Sequence, residues 1–451
     1  MKNTIDRRDF LSSAAVVGAF SAGGFLTSCT GGREIPKLTP LLPESEWNVF
    51  PYLPDKAKDG VPLKAGLVGC GRRGTGAVQN LLNAADNVSI TALGDVFSDR
   101  IAEVRSVLKN EFNMEVADDR CFTGFDSYQR VIDTDVDIVL LVTPPAFRPI
   151  HFKAAVEAGK HAFLEKPLAV DPAGALSVIA TSKKAVAQGL VVFTGTQRHH
   201  QRKFIESYKQ VQAGLIGEIV SANMRWNTNG PWFRLKEKGW TDVERMIREW
   251  VNWTWLSGDH IVEQHIHMID LINWFLGRKP VKALGFGARH RRPTGYQYDM
   301  FSVDYVYEGN IHVHSMCRQI DGCANKLGAF IQGAKGSWEN TGEIKDLKGN
   351  ILWQFDAEKE KAEFQQTNEF VLEHVNMINH IRDNKSISQA EETAISTLTA
   401  IMGRMSAYTG QEITWEQLIA SDMNLMPENL TLRDMDMSKF TVPVPGKVKD
   451  S

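Results

Sequence analysis

Lys64 to Val68 reads as a short strand that passes directly into Gly69-Cys-Gly-Arg-Arg-Gly74, and a carboxylate, Asp95, follows about twenty residues later. That order leaves few folds open. It predicts a buried strand, a tight turn at Gly69, close approach of a pyrophosphate at Gly71 and close helix packing at Gly74. Thr75 to Leu82 supplies the helix, whose first N–H groups face the phosphates. Val88 to Leu93 reads as a second strand, which delivers Asp95 to a ribose 2′-hydroxyl. A carboxylate there favours NAD over NADP, whose 2′-phosphate it would repel.

The first thirty residues address location. Asp6-Arg-Arg-Asp-Phe-Leu11 precedes a small-residue apolar stretch, Ala14 to Leu26, too short and too glycine-rich for a comfortable membrane span. It reads as a twin-arginine export signal. Leu26-Thr-Ser-Cys29 is similar to a lipobox, which would make Cys29 a lipidated first residue; an uncleaved anchor is the alternative. The expectation is an exported protein of the periplasm or cell envelope that meets the membrane only through its lipid anchor. Residues 1–29 are thus the signal and 30–60 a Pro-, Gly- and polar-rich tether, although Trp47, Phe50 and Tyr52 give it something to pack with. The roughly 390 residues beyond exceed one core, so two domains are expected: 61–180 for the nucleotide and 181–451 for substrate and oligomerisation. Fifty-one basic against 54 acidic residues, net −3, give no electrostatic footprint for nucleic acid.

Five cysteines occur, without the paired C-x-x-C spacing of a zinc site. Cys70 and Cys121 fall in what read as loops of the nucleotide domain. Cys317 and Cys323 are near enough in sequence to bond, with separate small core residues the favoured reading.

The βαβ alternation continues. Val136 to Val142 is a near-continuous apolar run, hence a strand buried on both faces, and Thr143-Pro-Pro145 ends it at the carboxyl edge where such sheets bind ligands. His151 to Ala158 reads as a helix, and His161 to Leu164 as a strand delivering Glu165-Lys166-Pro167 to the same edge. With these residues in view, the chain resembles the Gfo/Idh/MocA oxidoreductases, the family of glucose-fructose oxidoreductase and inositol dehydrogenase. The resemblance rests on the glycine fingerprint, Asp95, Thr143-Pro-Pro145 with His151, Ala158-Gly-Lys-His161 and Glu165-Lys-Pro167, and it runs from about Val61 to Leu418.

The resemblance implies an α/β Rossmann domain followed by an α+β domain with an open, mainly antiparallel sheet, one wall of the active site and often an oligomer interface. A homo-oligomer is therefore expected. It also implies cofactor contacts from Gly69, Gly71, Arg72, Arg73, Gly74 and Asp95, and from Thr143, Pro144, His151, Glu165 and Lys166. The residues agree with the division. Ile219 to Trp226, Val281 to Phe286, Phe301 to Tyr307, Ile311 to Cys317 and Lys326 to Gly333 read as short strands, whereas Phe370 to Ile381 and Ala390 to Tyr408 carry helical spacing.

A second chemical centre lies in Ser257 to Trp274. On one helix His260, Glu263, His267 and Asp270 would share a face, a polar seam in an apolar segment that suggests a lined cavity. A solvated face with incidental histidines is the plain alternative. His260, Glu263 and His267 could converge on a metal, but His265 points elsewhere, and the chemistry implied by the resemblance needs no Lewis acid, so no metal is expected. Carried over from the family, the catalytic group is Lys166, Glu263 and His267. Glu263 stands where the family usually has Asp, and His265 where a small residue is common, which adds a ligand or narrows the pocket. His267 is the expected general acid/base and Lys166 the group that stabilises a developing alkoxide.

For the substrate, Arg198 and His199 follow the strand Leu190 to Phe193, where relatives bind cofactor or sugar. Trp226, flanked by Arg225 and Asn227, and Trp253, within Trp250 to Trp255, offer faces for a sugar's CH side, beside His260, His265 and Asp270. Each Trp has a core role as its alternative. Arg318 and Gln319 on a late strand could also reach the site. The expectation is an NAD-dependent oxidoreductase acting on a secondary hydroxyl of a sugar or glycoside, with tightly bound NAD and a redox-neutral cycle. Two alternatives stand beside it: an NAD-dependent glycosidase working by oxidation and elimination, and a non-catalytic, nucleotide-retaining sugar-binding lipoprotein.

Overall fold

The computed structural model describes residues 54–447. The twin-arginine motif, Cys29 and most of the tether lie outside the described residues. The described end of the tether is no free linker. Ala57 N–H donates to the Ala84 carbonyl at 2.8 Å and Lys58 N–H to Asn379 Oδ1 at 2.9 Å, so residues 54–60 lie on the nucleotide domain.

Six strands, β1 (Leu63–Val68), β2 (Val88–Asp95), β3 (Cys121–Thr123), β4 (Ile138–Leu141), β5 (His161–Leu164) and β6 (Val191–Thr194), pair in parallel in the order β6-β5-β4-β1-β2-β3. A short return strand, Ile387–Ser388, adds to β6. The alternation of side chains explains the apolar runs. Leu63, Ala65, Leu67, Ile138, Leu140 and Phe163 feed one core cluster; Val68, Val139, Leu141, Ala162 and Leu164 feed another. Both faces are covered, as parallel sheets require.

The expected domain limit at residue 180 is corrected by this sheet. It falls inside the helix Pro172–Ala187, and β6 beyond it is bonded to β5. The Rossmann sheet therefore reaches Thr194. Nor is 181–451 a separate body: the helix Glu369–Arg382 returns to the nucleotide domain, where Met377, Ile378 and Ile381 join the β1 core and Val371, Leu372 and Val375 pack on Ala84. Its apolar stripe was legible, but not the surface that receives it.

The second sheet has β7 (Ile219–Thr228), β8 (Pro280–Ala288), β9 (Met300–Tyr307), β10 (Ile311–Gln319), β11 (Lys326–Gly333), β12 (Gly336–Glu339), β13 (Glu343–Asp346) and β14 (Ile351–Gln354). They run in the order β14-β13-β12-β11-β7-β10-β9-β8, and Ile413–Thr414 pairs beyond β8. All pairs are antiparallel except β7 with β10. The described cysteines are free. Cys70 and Cys317 are buried, but Cys121 opens β3 rather than sitting in a loop, and Cys323 is exposed rather than a core residue. No helix among the described residues is long and apolar enough to cross a membrane.

Candidate active site

A cleft of about 620 Å³ opens at the carboxyl ends of β1, β2 and β4. Gly69, Gly71, Arg72, Arg73, Gly74, Asp95, Thr143, Pro144 and His151 line it. The three glycines have separate reasons. Gly69 has φ +96°, and a Cβ there would meet Thr143 N at 2.6 Å; one at Gly74 would overlap the Gly69 carbonyl oxygen. A Cβ at Gly71 would meet no protein atom within 4 Å, because it would project into the cleft. The helix Arg72–Ala84 starts at Gly71 without a side-chain cap, so its first N–H groups are left for a ligand. An open cradle at Gly71, bare helix donors and a carboxylate at the far edge fit a dinucleotide.

Asp95 also shapes the loops. Its Oδ2 accepts from Cys70 N–H at 2.7 Å and its Oδ1 from Phe97 N–H at 2.9 Å; burial nonetheless pushes the carboxyl above its ordinary value. Asp95→Ala removes a charged acceptor, so NAD affinity should fall about 10- to 100-fold, and discrimination against NADP should relax because Arg100 lines the same edge. Titration with both nucleotides checks this; an unchanged preference would show that another residue reads the ribose.

Glu165 and Lys166 follow β5 but are not among the residues that line this cleft. Glu165 is buried and accepts from Lys166 N–H and from Nε of Arg73, a lining residue of the cleft whose Nη2 also reaches buried Glu373 at 3.4 Å. Lys166 Nζ donates to Glu263 Oε1 at 3.0 Å and to the Glu263 carbonyl at 2.6 Å. His267 stacks on Trp226, ring centroids 5.4 Å apart, and the Arg198 guanidinium stands 5.8 Å from the same indole. Burial, then the charges of Lys166, Arg198 and Arg73, hold the His267 imidazole well below its ordinary pKa, hence neutral. Lys166, Glu263, His267, Trp226 and Arg198 thus form one group.

The other residues of the seam part company. Instead of one helix there are two, His260–Glu263 and Ile266–Leu276, with a break at Gln264–His265. Across it His265 N–H bonds the His260 carbonyl five residues back, and His267 N–H bonds Gln264 three back. The expected common face is lost. His260 is buried, bonds Asp259 Oδ1 through Nδ1 at 3.0 Å and packs on Phe301. His265 turns under β10 and bonds Ser315 Oγ at 2.7 Å. Neither lines a cavity for sugar. Trp253 is likewise core, against Tyr296 and Phe440, a packing partner nearly two hundred positions away that no local pattern announces. Asp270 and His199 do meet, at 2.8 Å, but as a buried pair over Trp274. Burial alone would lower His199; Asp270 outweighs it and holds the imidazole above its ordinary value.

Sequence reading missed Gln264, which accepts from Trp226 Nε1 at 3.2 Å and from Gln319 Nε2 at 2.8 Å and so ties this group of side chains to β10. Arg318, one residue away, points to the other face, as strand alternation demands. No group of three or more His, Cys, Asp or Glu side chains among the described residues is arranged to hold a metal ion.

Buried neutral imidazoles give this region an acid limit. Burial pushes His151, His265 and His374 down to about 3. Their contribution is complete above the unfolded histidine value and is lost as pH falls below about 6.5, at about 4 kcal/mol per pH unit for the three together. Denaturant midpoints should drop steeply between pH 6.5 and 5. A flat profile would show that these rings are not buried neutral.

Residues 63–196 match the family described as an oxidoreductase family with an NAD-binding Rossmann fold, and residues 204–339 match the GFO/IDH/MocA C-terminal domain. Among curated relatives, the chain is 26% identical over 228 residues to a glycosyl hydrolase family 109 protein of Streptomyces coelicolor, covering 49% of this chain and 44% of that one. It is 27% identical over 203 residues to a myo-inositol 2-dehydrogenase of Thermotoga maritima, covering 45% and 57%. The chain spans about half the length of these curated relatives. Among solved structures, scyllo-inositol dehydrogenase from Lactobacillus casei, with bound NAD(H) and scyllo-inositol, superposes with TM-score 0.58 at 19% identity, covering 80% of this chain and all of that one. At that identity the likeness establishes the fold.

Proposed function

Because the chain belongs to the Gfo/Idh/MocA family, whose NAD-binding Rossmann domain it carries, we propose that it is an NAD-dependent oxidoreductase acting on a secondary hydroxyl of a sugar or glycoside. The observation that carries this reading is the convergence of Lys166 and Glu263 with His267 and Trp226 through Gln264, which follows Glu263 and accepts from the Trp226 indole and from His267 N–H. Bound NAD supplies the hydride acceptor. The chain's own residues do the rest. Neutral His267 accepts the proton from the substrate hydroxyl, and the Trp226 indole fixes the ring's plane. The Lys166 ammonium, held by Glu263, donates to the oxygen as it gains charge. Trp226 and Arg198 offer a ring face an apolar wall and polar donors.

We further propose a cell-envelope setting. Residues 1–29 export the folded protein and anchor it by lipid at Cys29. An exported protein has no soluble nicotinamide pool, so the nucleotide travels bound and the cycle is redox-neutral. Leu284 and Phe286, 53% and 73% exposed on β8, support assembly of copies through the outer sheet face. Purified protein should release nucleotide near one per chain on denaturation, and sugars should be turned over without added NAD. Protein that emerges empty and needs millimolar NAD would contradict retention. Nitrophenol release from a glycoside, without net nicotinamide change, would reassign the chemistry to oxidation and elimination, in line with the family 109 relative.

A further inference from the structure

The far wall of the nucleotide cleft does not come from the Rossmann domain. Trp232, Arg234, Arg248 and Trp250 line the same cleft as Asp95, all from the segment between β7 and the second chemical centre. Their backbone is pinned from behind: the Trp232 carbonyl accepts from Asn252 Nδ2 at 3.1 Å, and Arg234 N–H donates to Glu249 Oε2 at 3.1 Å. Trp232 is nevertheless 51% exposed, an indole left open at the mouth of a cleft. Arg234 has no side-chain ion pair among the described residues.

Arg248 fastens this segment to the Rossmann domain. It donates to both oxygens of Asp99, Nη1 to Oδ2 at 3.0 Å and Nη2 to Oδ1 at 3.1 Å, while Nε donates to Glu244 at 2.9 Å. The guanidinium lies 3.9 Å over the Phe97 ring and 5.0 Å from the Trp240 ring. Phe97 N–H is the group that Asp95 holds, so the fastening grips the turn that carries the ribose acid. A bidentate arginine stacked on an aromatic ring is a defined contact rather than a loose surface pair.

We propose that the segment from Trp232 to Trp250 completes the nucleotide site over its adenosine half, and that the Arg248–Asp99 pair is the fastening that must part before the dinucleotide exchanges. This rests on the NAD site proposed above. An indole suits the face of a purine and an unpaired guanidinium suits a phosphate. Retention of the cofactor then has a structural cause distinct from the glycine turn: two domains must separate locally before it leaves.

The test follows NADH loaded on the full chain and chased with excess NAD, read as loss of bound-nicotinamide fluorescence. Arg248→Gln and Asp99→Asn should each release NADH about tenfold faster than wild type, with the double variant no faster than either and Arg248→Lys in between. Trp232→Ala should also speed release, without needing either charge. Asp99 is half-exposed, so its variant keeps the question answerable if Arg248→Gln misfolds. Wild-type release rates in folded Asp99→Asn and Arg248→Gln would overturn the fastening. A wild-type chain that binds no NADH at all would overturn the NAD reading itself.

Discussion

His267→Ala should lower turnover by about two to four orders of magnitude, the range for losing a positioned general acid/base. The ring is neutral for a stated reason, burial beside the Lys166, Arg198 and Arg73 charges, so it starts the reaction unprotonated, as a general base must. The nucleotide cleft is lined by other residues, and NAD content should therefore be unchanged. Rates and bound nucleotide measured on one preparation separate the two effects. Near-normal turnover would remove His267 from the mechanism.

Lys166→Ala should cost a similar two to four orders in turnover, because a donor aimed at developing charge is lost. It should also destabilise the fold by about 3–5 kcal/mol, since Glu263 is left buried without its cation. Lys166→Ala combined with Glu263→Gln removes the stranded charge. That pair should recover much of the melting temperature and none of the turnover, which distinguishes chemistry from folding. Recovery of turnover in the double variant would assign Lys166 a structural role.

What could be read before the fold was known depended on how local its cause is. The glycine turn, Asp95 and the β5 strand before Glu165-Lys-Pro167 are set by neighbours in sequence, and His161–Leu164 and Lys326–Gly333 stand within the limits expected. Lys166 and His267, a hundred positions apart, were paired only through the family resemblance. The helix expected through His260 and His267 failed for a reason no periodicity shows. Asp259 adopts φ +73°, bonding His260 N–H, Tyr298 N–H and Tyr408 O–H, and the chain breaks again at Gln264. His260 and His265 thereby became buried supports. Arg234 and Arg248 were invisible for the opposite reason: nothing in their surroundings marks them until the second domain is seen across the cleft.

The most direct test of the account mixes the protein as purified, with its own nucleotide and none added, with a panel of sugars, inositols and glycosides in a single turnover while recording nicotinamide absorbance. The expected result is reduced nicotinamide appearing at up to one equivalent per chain with at least one secondary alcohol, absent in His267→Ala. Nucleotide-loaded wild type that shows no reduction with any sugar, and releases no product from any glycoside, would contradict an oxidoreductase and leave a protein that binds without turnover.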